Sequence, residues 1–256
     1  MLRSRESCSV SPCFTSTLAV ACSLALQLSA RSARSEPIEG KSANASVAAA
    51  AGALRPENPV KGSIATGQTH HYTLDLEKEQ YVRIAARQLT VDVGLRMLSQ
   101  DGTALAEADA FRGIEGTEIV SLVAEVAGTY RVEVRCVEKT QTRGEYELTV
   151  RDLRAATAAD RERVAAERAM TRADRLYRQG KPDDLKQAVK EYELAAQHAR
   201  VAADPGTEAN SLKGAALALL LLGKRTEATK YLTEVVPLCE KARDDLCLSK
   251  TLNTFG

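Results

Sequence analysis

The chain has 256 residues, 44% of them hydrophobic, and a formal net charge of +1 at pH 7. This hydrophobic fraction is typical of globular proteins and excludes a chain that is disordered throughout. No uninterrupted apolar run is long enough for several membrane spans. Neither half carries a basic stripe, so nucleic acid is not expected as a partner. The composition alone does not indicate a function. The order of the segments along the chain favours a binding module over an enzyme.

Residues 1–33 have the pattern of an export signal. Arg3 and Arg5 precede an apolar stretch over residues 18–28, which small residues follow. A charged start, an apolar middle and a small-residue exit are typical of a signal peptide. An uncleaved anchor is the alternative, because residues 14–30 are almost long enough to span a thin bilayer. The segment predicts an extracytoplasmic protein, periplasmic or secreted, with membrane contact only through such an anchor.

Residues 34–58 are predicted to be a flexible linker. The segment is rich in Ser and Ala, with an Ala run at 48–51, and shows no apolar period. Pro56 and Pro59 then mark the entrance to a folded unit.

The six cysteines fit neither a disulfide framework nor a zinc site. Three of them precede residue 33 and would leave with a cleaved signal, and lipidation of Cys22 is disfavoured because the apolar run continues beyond it. Cys136 continues a period-two run and is expected to face a core. Cys239 and Cys247 lie eight apart in helical sequence and could meet only across a turn. All three are predicted to be free buried thiols.

Residues 59–153 show the period-two alternation of half-buried strands. The alternating apolar sets are Tyr72, Leu74 and Leu76; Val82, Ile84 and Ala86; Val91, Val93, Leu95 and Met97; Tyr130, Val132 and Val134; Tyr146, Leu148 and Val150. Turn signals with Gly separate these runs. Seven or eight short strands in about 95 residues predict a β-sandwich with one apolar core.

An ordered set of motifs in this unit carries a family resemblance. The set comprises Gly67–Tyr72, Gln80–Arg83, Val91–Val93, Asp101–Gly102 and Gly128–Val132. It resembles bacterial pre-peptidase C-terminal-like domains, which are β-sandwich or jelly-roll modules attached to secreted proteins. The resemblance implies an accessory binding domain rather than a catalyst. Some relatives bind calcium or matrix polymers, but the acidic residues here lack the loop spacing of a calcium site.

No catalytic residue, cofactor or metal site is predicted. His70 and His71 are neighbours in a strand, so their side chains point to opposite faces and cannot line one site. His198 stands alone in a helical stretch. A surface or strand-edge role is expected for all three.

Residues 154–256 change to a helical pattern that repeats. The matching positions are Ala169, Ala173, Leu176, Gly180, Ala188, Tyr192 and Ala195 in one copy, and Leu212, Ala216, Leu219, Gly223, Ala228, Leu232 and Val235 in the next. This ladder of small and large residues resembles tetratricopeptide repeats, which are arrays of helical hairpins. Two departures stand out, since Ala169 and Leu212 occupy the usual Trp position and Arg200 and Glu240 the closing Pro position.

The family's function is to hold protein segments on the concave face made by the first helix of each repeat. The resemblance maps that face onto Asp174, Arg178, Asn210, Lys213, Lys250 and Asn253. The paired Lys/Asn clamp with which some members hold C-terminal carboxylates is not reproduced, because Leu217 occupies a required polar place. A protein partner on this face is the prediction, and a merely solvated helix face is the alternative.

A third repeat begins at Leu252, 40 residues after Leu212, and is expected to be truncated at Gly256. Solenoids are stabilised by about three repeats and a capping helix. The prediction is therefore a fragment of a longer chain, a truncated reading frame, or a chain that docks onto something else, with self-association as one outcome. The order of signal, sandwich and repeats resembles the front half of bacterial CHAT proteins, which end in a caspase-like peptidase domain.

The predicted fold is therefore an α+β multidomain chain, an all-β sandwich or jelly roll followed by an all-α array of tetratricopeptide hairpins. The leading function is a non-catalytic exported scaffold for protein partners. One alternative is the regulatory N-terminal part of a CHAT peptidase whose catalytic domain lies beyond residue 256. The other is a surface adhesion module in which the sandwich binds a polymer.

Overall fold

The β part of the chain forms two sheets. The computed structural model describes residues 50–109, 116–137 and 143–255. Its strands are β1 (Ala50–Ala53), β2 (Val60–Ala65), β3 (Thr69–Leu76), β4 (Gln80–Gln88), β5 (Val93–Leu98), β6 (Ala104–Ala108), β7 (Thr117–Val123), β8 (Gly128–Cys136) and β9 (Arg143–Ala155). The first sheet has the order β1-β3-β8-β5-β6 and the second the order β2-β9-β4-β7.

The two sheets share one apolar core. Neighbouring strands are antiparallel, except that β1 runs parallel to β3. Alternate side chains of each strand point to one face, so the apolar sets of the two sheets face each other. Tyr72 and Val132 of the first sheet and Ile84 and Tyr146 of the second are at most 1% exposed. The tyrosine hydroxyls of Tyr72 and Tyr146 lie 2.6 Å apart inside this core, which satisfies two polar groups that burial would otherwise penalise.

The predicted order, a β part followed by a helical part, is confirmed. The five alternating runs lie in β3, β4, β5, β8 and β9, except that Val91 precedes β5. One prediction is wrong in part: the segment 34–58, predicted to be a linker, contains β1. Leu54 is 5% exposed, and its backbone N–H donates to the Thr73 carbonyl at 2.8 Å. Because most residues of β1 are alanines, its two faces do not differ in hydrophobicity, and no period-two pattern marks it in the sequence. The strand is specified instead by its pairing with β3.

The helical part consists, within the described residues, of five helices. They are α1 (Ala158–Gln179), α2 (Pro182–Val201), α3 (Pro205–Leu221), α4 (Arg225–Ala242) and α5 (Asp245–Phe255). Thr157 forms a capping box at the start of α1, and the side chain of Asp204 caps α3. Pro182 and Pro205 stand at helix starts, and Gly180 ends α1 at φ 70°.

Each helix packs against the next one along the chain. Connections of two or three residues make consecutive helices antiparallel neighbours. The alanines of the predicted ladder lie at these contacts: Ala173, Ala188, Ala216 and Ala228 are all 0% exposed. Their small side chains let the helix backbones approach closely.

Helix α1 lies against the β6–β7 side of the sandwich. The carboxylate of Glu167 accepts hydrogen bonds from Ser121 of β7, and the hydroxyl of Thr171 donates to the Glu107 carbonyl of β6 at 2.9 Å. Both strands are at the edge of their sheets. Side chains of α1 thus satisfy edge groups that would otherwise be open to another chain.

A buried carboxylate holds the joint between β9 and α1. Asp160 is 1% exposed and binds Arg154 at 2.5 Å and Arg163 at 2.9 Å. It also accepts the backbone N–H of Thr157 at 2.9 Å as part of the capping box. Chiefly because of the Arg154 guanidinium, the pKa of the Asp160 carboxyl lies far below its usual value.

The prediction that Cys239 and Cys247 are free thiols is wrong. The two residues form a disulfide that joins α4 to α5. Arg243 adopts a left-handed conformation, φ 55°, at the end of α4 and reverses the chain, which brings the two Cα atoms to 5.7 Å. Cys136 is free and packs against the sandwich core, as predicted, but it is half-buried and not fully buried.

The predicted signal or anchor (1–33), most of the predicted linker and Gly256 lie outside the described residues. None of the helices that the structure describes combines the length and the apolar character needed to cross a membrane. The Cys239–Cys247 disulfide favours an oxidising, extracytoplasmic compartment.

Candidate functional site

The six side chains predicted to form a binding face line a single groove. The groove encloses about 480 Å³ and is bordered by α1, α3 and α5. Each helix contributes two of the residues: Asp174 and Arg178 from α1, Asn210 and Lys213 from α3, Lys250 and Asn253 from α5. The spacing within each pair is three or four residues, which places both side chains on one face of their helix.

The middle of the groove depends on a close approach between α2 and α3. Tyr192 of α2 packs against Gly214 of α3, where an added Cβ would lie only 2.5 Å from the tyrosine ring. Its hydroxyl donates to Asp174 at 2.5 Å. Burial, followed by the nearby Asp174 carboxylate, raises the pKa of the Tyr192 hydroxyl well above its usual value, so this hydroxyl remains a donor. Tyr192 therefore fixes the orientation of the Asp174 carboxylate.

The groove wall formed by α3 and α5 is also held by internal hydrogen bonds. Lys213 donates to Asn210 within α3 at 3.2 Å. Asp244 accepts the backbone N–H of Cys247 at 2.8 Å and so caps the start of α5. Cys247 itself lines the groove, and its disulfide ties α5 to α4. The disulfide and this cap thereby hold the helix that presents Lys250.

The end of β6 reaches the mouth of the groove. The guanidinium of Arg178 binds the carboxylate of Asp109 at 3.2 Å and also donates to the Asp109 backbone carbonyl. One turn earlier on α1, Arg175 lies 3.9 Å from Glu107. The sandwich therefore places an acidic residue of this chain against a cation of the groove.

A second cleft adjoins the groove and lies between the sandwich and the first helices. It encloses about 510 Å³ and shares Asp174, Arg178 and Asn210 with the groove. Glu167 lines this cleft, and its removal from water raises the pKa of its carboxyl to about 7, while the Ser121 hydrogen bonds and Arg83 act in the opposite direction. Sequence patterns gave no signal for Glu167 or Asp109, because their partners lie 46 and 69 residues away.

The histidines do not converge on a catalytic arrangement. His70 Nδ1 lies 2.7 Å from the Tyr146 hydroxyl, and His71 Nδ1 lies 3.4 Å from Glu133 on the opposite face of the strand. His198 contacts Glu162 at 2.7 Å, far along the chain from both. Within the ranges that the structure describes, no three His, Cys, Asp or Glu side chains are grouped so as to hold a metal ion. The groove is instead lined by charged and amide side chains.

Neither a protein-family model nor a curated protein matches the chain. Among solved structures, it is similar to PliG from Aeromonas hydrophila, a periplasmic inhibitor of g-type lysozyme, with 16% identity, a TM-score of 0.32, and coverage of 38% of this chain and 85% of that one. It is also similar to the pre-peptidase C-terminal domain of a collagenase from Bacillus anthracis, with 20% identity, a TM-score of 0.32, and coverage of 38% and 90%. PliG from Salmonella Typhimurium follows with 10% identity, a TM-score of 0.27, and coverage of 38% and 95%. These likenesses lie in the β part of the chain.

Proposed function

We propose that this chain is an exported, non-catalytic scaffold that holds an extended segment of a protein partner in the groove between α1, α3 and α5. The observation that carries the proposal is the convergence of six polar side chains from three helices on one groove. Charges and amides that line a groove are suited to the backbone and side chains of a polypeptide.

The proposal gives each part of the chain a role. The helices act as an array of tetratricopeptide-type hairpins, with the odd-numbered helices forming the concave face. The sandwich acts as an accessory module of the pre-peptidase C-terminal type and supports α1 through the Glu167–Ser121 contact. Residues 1–33 direct export of the chain. The Cys239–Cys247 disulfide agrees with this role, because disulfides persist in the oxidising compartments outside the cytoplasm.

A selection from a random peptide library against the immobilised full chain tests the proposal. Enriched peptides are synthesised, labelled and titrated by fluorescence anisotropy. The groove variant Asn210→Ala/Asn253→Ala is expected to weaken binding by about tenfold or more, which corresponds to about 1.4 kcal/mol. The control Gln187→Ala/Gln197→Ala removes two exposed amides from α2 and is expected to bind as the unmodified chain does.

The proposal is overturned if the selection enriches no peptide. It is equally overturned if the groove variant and the α2 control bind the enriched peptides alike. Far-UV circular dichroism of both variants checks that the helices are retained.

A further inference from the structure

The outer face of the first sheet carries a row of charged side chains that crosses four adjacent strands. Its members stand opposite one another in the strand register, in the order His71 of β3, Glu133 of β8, Arg96 of β5 and Glu107 of β6. The residues next to them on each strand belong to the apolar core or pack against it. Because successive side chains of a strand point to opposite faces, the row lies on the face that is turned away from the core.

Two further arginines of β8 flank the centre of this row. Arg131 and Arg135 stand two residues before and two residues after Glu133, and so share its face of the strand. The Glu133 carboxylate lies 3.9 Å from Arg96, 3.7 Å from Arg131 and 3.4 Å from His71. We call the row and these two residues together the arginine face.

The second carboxylate of the arginine face is shared in the same way. Glu107 lies 3.6 Å from Arg96, 3.5 Å from Arg135 and 3.9 Å from Arg175 of α1. Four arginines thus share the two carboxylates. Asp75, on the same face at the far end of β3, accepts a threonine hydroxyl at 2.6 Å.

These contacts do not saturate the arginines. The N–O distances of the arginine pairs are 3.5–3.9 Å, longer than the roughly 2.7–2.9 Å of a charge-assisted hydrogen bond. The Nε atoms of Arg96 and Arg135 are buried, and the described residues give them no hydrogen-bond partner. Buried donors without an acceptor are rare, because each carries a desolvation cost. The arginine face therefore has donors for acceptors that come from outside the chain.

The arginines, and not the carboxylates, are presented to the solvent. The side chains of Glu133 and Glu107 are 13% and 26% exposed. Those of the three arginines on the strands are 30%, 34% and 46% exposed, so each exceeds both carboxylates. A ligand that approaches this face consequently meets guanidinium groups first.

The placement of the guanidinium groups favours a tetrahedral oxyanion. A guanidinium presents a planar fork of N–H donors that matches the oxygens of carboxylate, sulfate and phosphate groups. Arg131 reaches Glu133 along β8, whereas Arg96 reaches it from the neighbouring strand. An anion held by both needs oxygens that point in several directions, which a sulfate or phosphate group has and a planar carboxylate lacks.

The two ends of the arginine face favour a polymer over a free ion. Arg131 and Arg135 contact different carboxylates, and their positions on β8 are about 13 Å apart along the strand. One small ion cannot contact both, whereas a polymer with repeated anionic groups can. Thr73 and Thr69 stand opposite these two arginines in the register of β3 and β8, and their hydroxyls are suited to the hydroxyl groups of a sugar.

We infer that the arginine face binds an anionic polysaccharide that carries sulfate or phosphate groups, one of them held between Arg96 and Arg131 and another by Arg135. This inference goes beyond the proposed function, because it gives the sandwich a ligand of its own on a surface distinct from the groove between α1, α3 and α5.

Three dextrans of matched length test the inference against the full chain by biolayer interferometry at physiological ionic strength. They are dextran sulfate, carboxymethyl dextran of equal charge density, and unmodified dextran. Dextran sulfate is expected to bind about tenfold more tightly than carboxymethyl dextran, and unmodified dextran is expected not to bind. General attraction to polyanions is expected to be weak, because the formal net charge of the chain is only +1.

Variants assign the binding to the arginine face. Arg131→Gln is expected to weaken binding of dextran sulfate by about fivefold, and Arg131→Lys, which keeps the charge without the fork, by less. Glu133→Gln is expected to strengthen it by about threefold, because the carboxylate competes with the sulfate group for the same arginines. The control Arg87→Gln removes an exposed, paired arginine from a strand of the second sheet and is expected to change nothing. Far-UV circular dichroism checks that each variant is folded.

Equal binding of dextran sulfate and unmodified dextran overturns the inference, as does an Arg131→Gln variant that binds like Arg87→Gln. Equal binding of dextran sulfate and carboxymethyl dextran refutes the tetrahedral group, and an unchanged affinity of Glu133→Gln refutes its position beside Glu133. Duplex DNA that binds more tightly than dextran sulfate would refute a polysaccharide ligand. The groove variant Asn210→Ala/Asn253→Ala is expected to bind dextran sulfate as the unmodified chain does, so the failure of either proposal leaves the other standing.

Discussion

Glu167 on α1 accepts two hydrogen bonds from Ser121 on β7, one from the backbone N–H at 2.7 Å and one from the hydroxyl at 2.8 Å. The Ser121 hydroxyl oxygen also accepts the hydroxyl of Tyr81 at 3.2 Å. Since β7 is an edge strand, the backbone N–H of Ser121 has no neighbouring strand to which it could donate. The Glu167 side chain thus satisfies this edge group and contributes to holding α1 against the sandwich.

We expect the stability of this contact to depend on pH. The pKa of the Glu167 carboxyl is raised to about 7 from its usual 4.5. The unfolded chain therefore loses this proton at a lower pH than the folded chain, and the contribution of Glu167 to stability is lost as pH rises from about 4.5 to about 7. Glu167→Gln keeps the shape and an acceptor without the charge. Urea unfolding at pH 5 and pH 8 should show a decrease of about 1–3 kcal/mol in the unmodified chain and a smaller one in the variant.

The groups around Glu167 are Arg83, which favours its charged form, and Asp204, which opposes it. Arg83 and Asp204 are unchanged in Glu167→Gln. Parallel pH profiles of the variant and the unmodified chain would therefore contradict the assignment to Glu167.

At the joint between β9 and α1, substitution of Asp160 is expected to cause the largest loss of stability. Asp160→Asn removes the negative charge that binds Arg154 and Arg163 and should destabilise the chain by about 3 kcal/mol, because two cations lose a buried partner. The pKa of Asp160 lies below its usual value, so its contribution is present above about pH 4 and is lost as pH falls. Urea unfolding at pH 7 measures the loss. Asp183→Asn breaks an exposed pair with Lys186 and is the matched control, for which no change in the unfolding midpoint is expected.

Gly214 should tolerate no side chain. Gly214→Ala places a Cβ about 2.5 Å from the Tyr192 ring and is expected to cost about 1–3 kcal/mol, because Tyr192 or α3 must move. Gly206 is in the same helix, and the atoms around its added Cβ lie at ordinary contact distances of 3.6 Å and more. Gly206→Ala is therefore expected to be neutral or slightly stabilising. Thermal unfolding followed by circular dichroism compares the two, and equal melting temperatures would refute the packing argument.

The disulfide can be verified directly and should stabilise α5. Trypsin cleaves after Lys241 and Arg243 and so separates Cys239 from Cys247, which leaves two peptides joined by the disulfide in an unreduced digest. Cys239→Ser/Cys247→Ser is expected to lower the free energy of unfolding by about 2–3 kcal/mol. Two separate peptides with free thiols in the unreduced digest would disprove the assignment.

Local patterns in the sequence indicated the class of each part. The period-two runs around Tyr72, Ile84 and Tyr146 predicted strands, and the alanine ladder predicted packed helices, because burial of one face leaves a periodic trace in the chain. The six groove residues were predicted from the resemblance to tetratricopeptide repeats, which maps them onto the first helix of each repeat, and not from a period. β1 left no such trace, because alanines do not distinguish a buried face from an exposed one.

The sequence by itself determined which faces of the strands and helices are buried and which polar residues share a helix face, because these properties depend on neighbours a few positions away. Only the tertiary structure decided which edges and faces meet. The pairing of Glu167 with Ser121, the reach of Asp109 to Arg178 and the junction of Cys239 with Cys247 depend on how distant elements pack and on a left-handed residue at a helix end. Contacts between distant elements follow from the shape of the whole fold, and no local period encodes them.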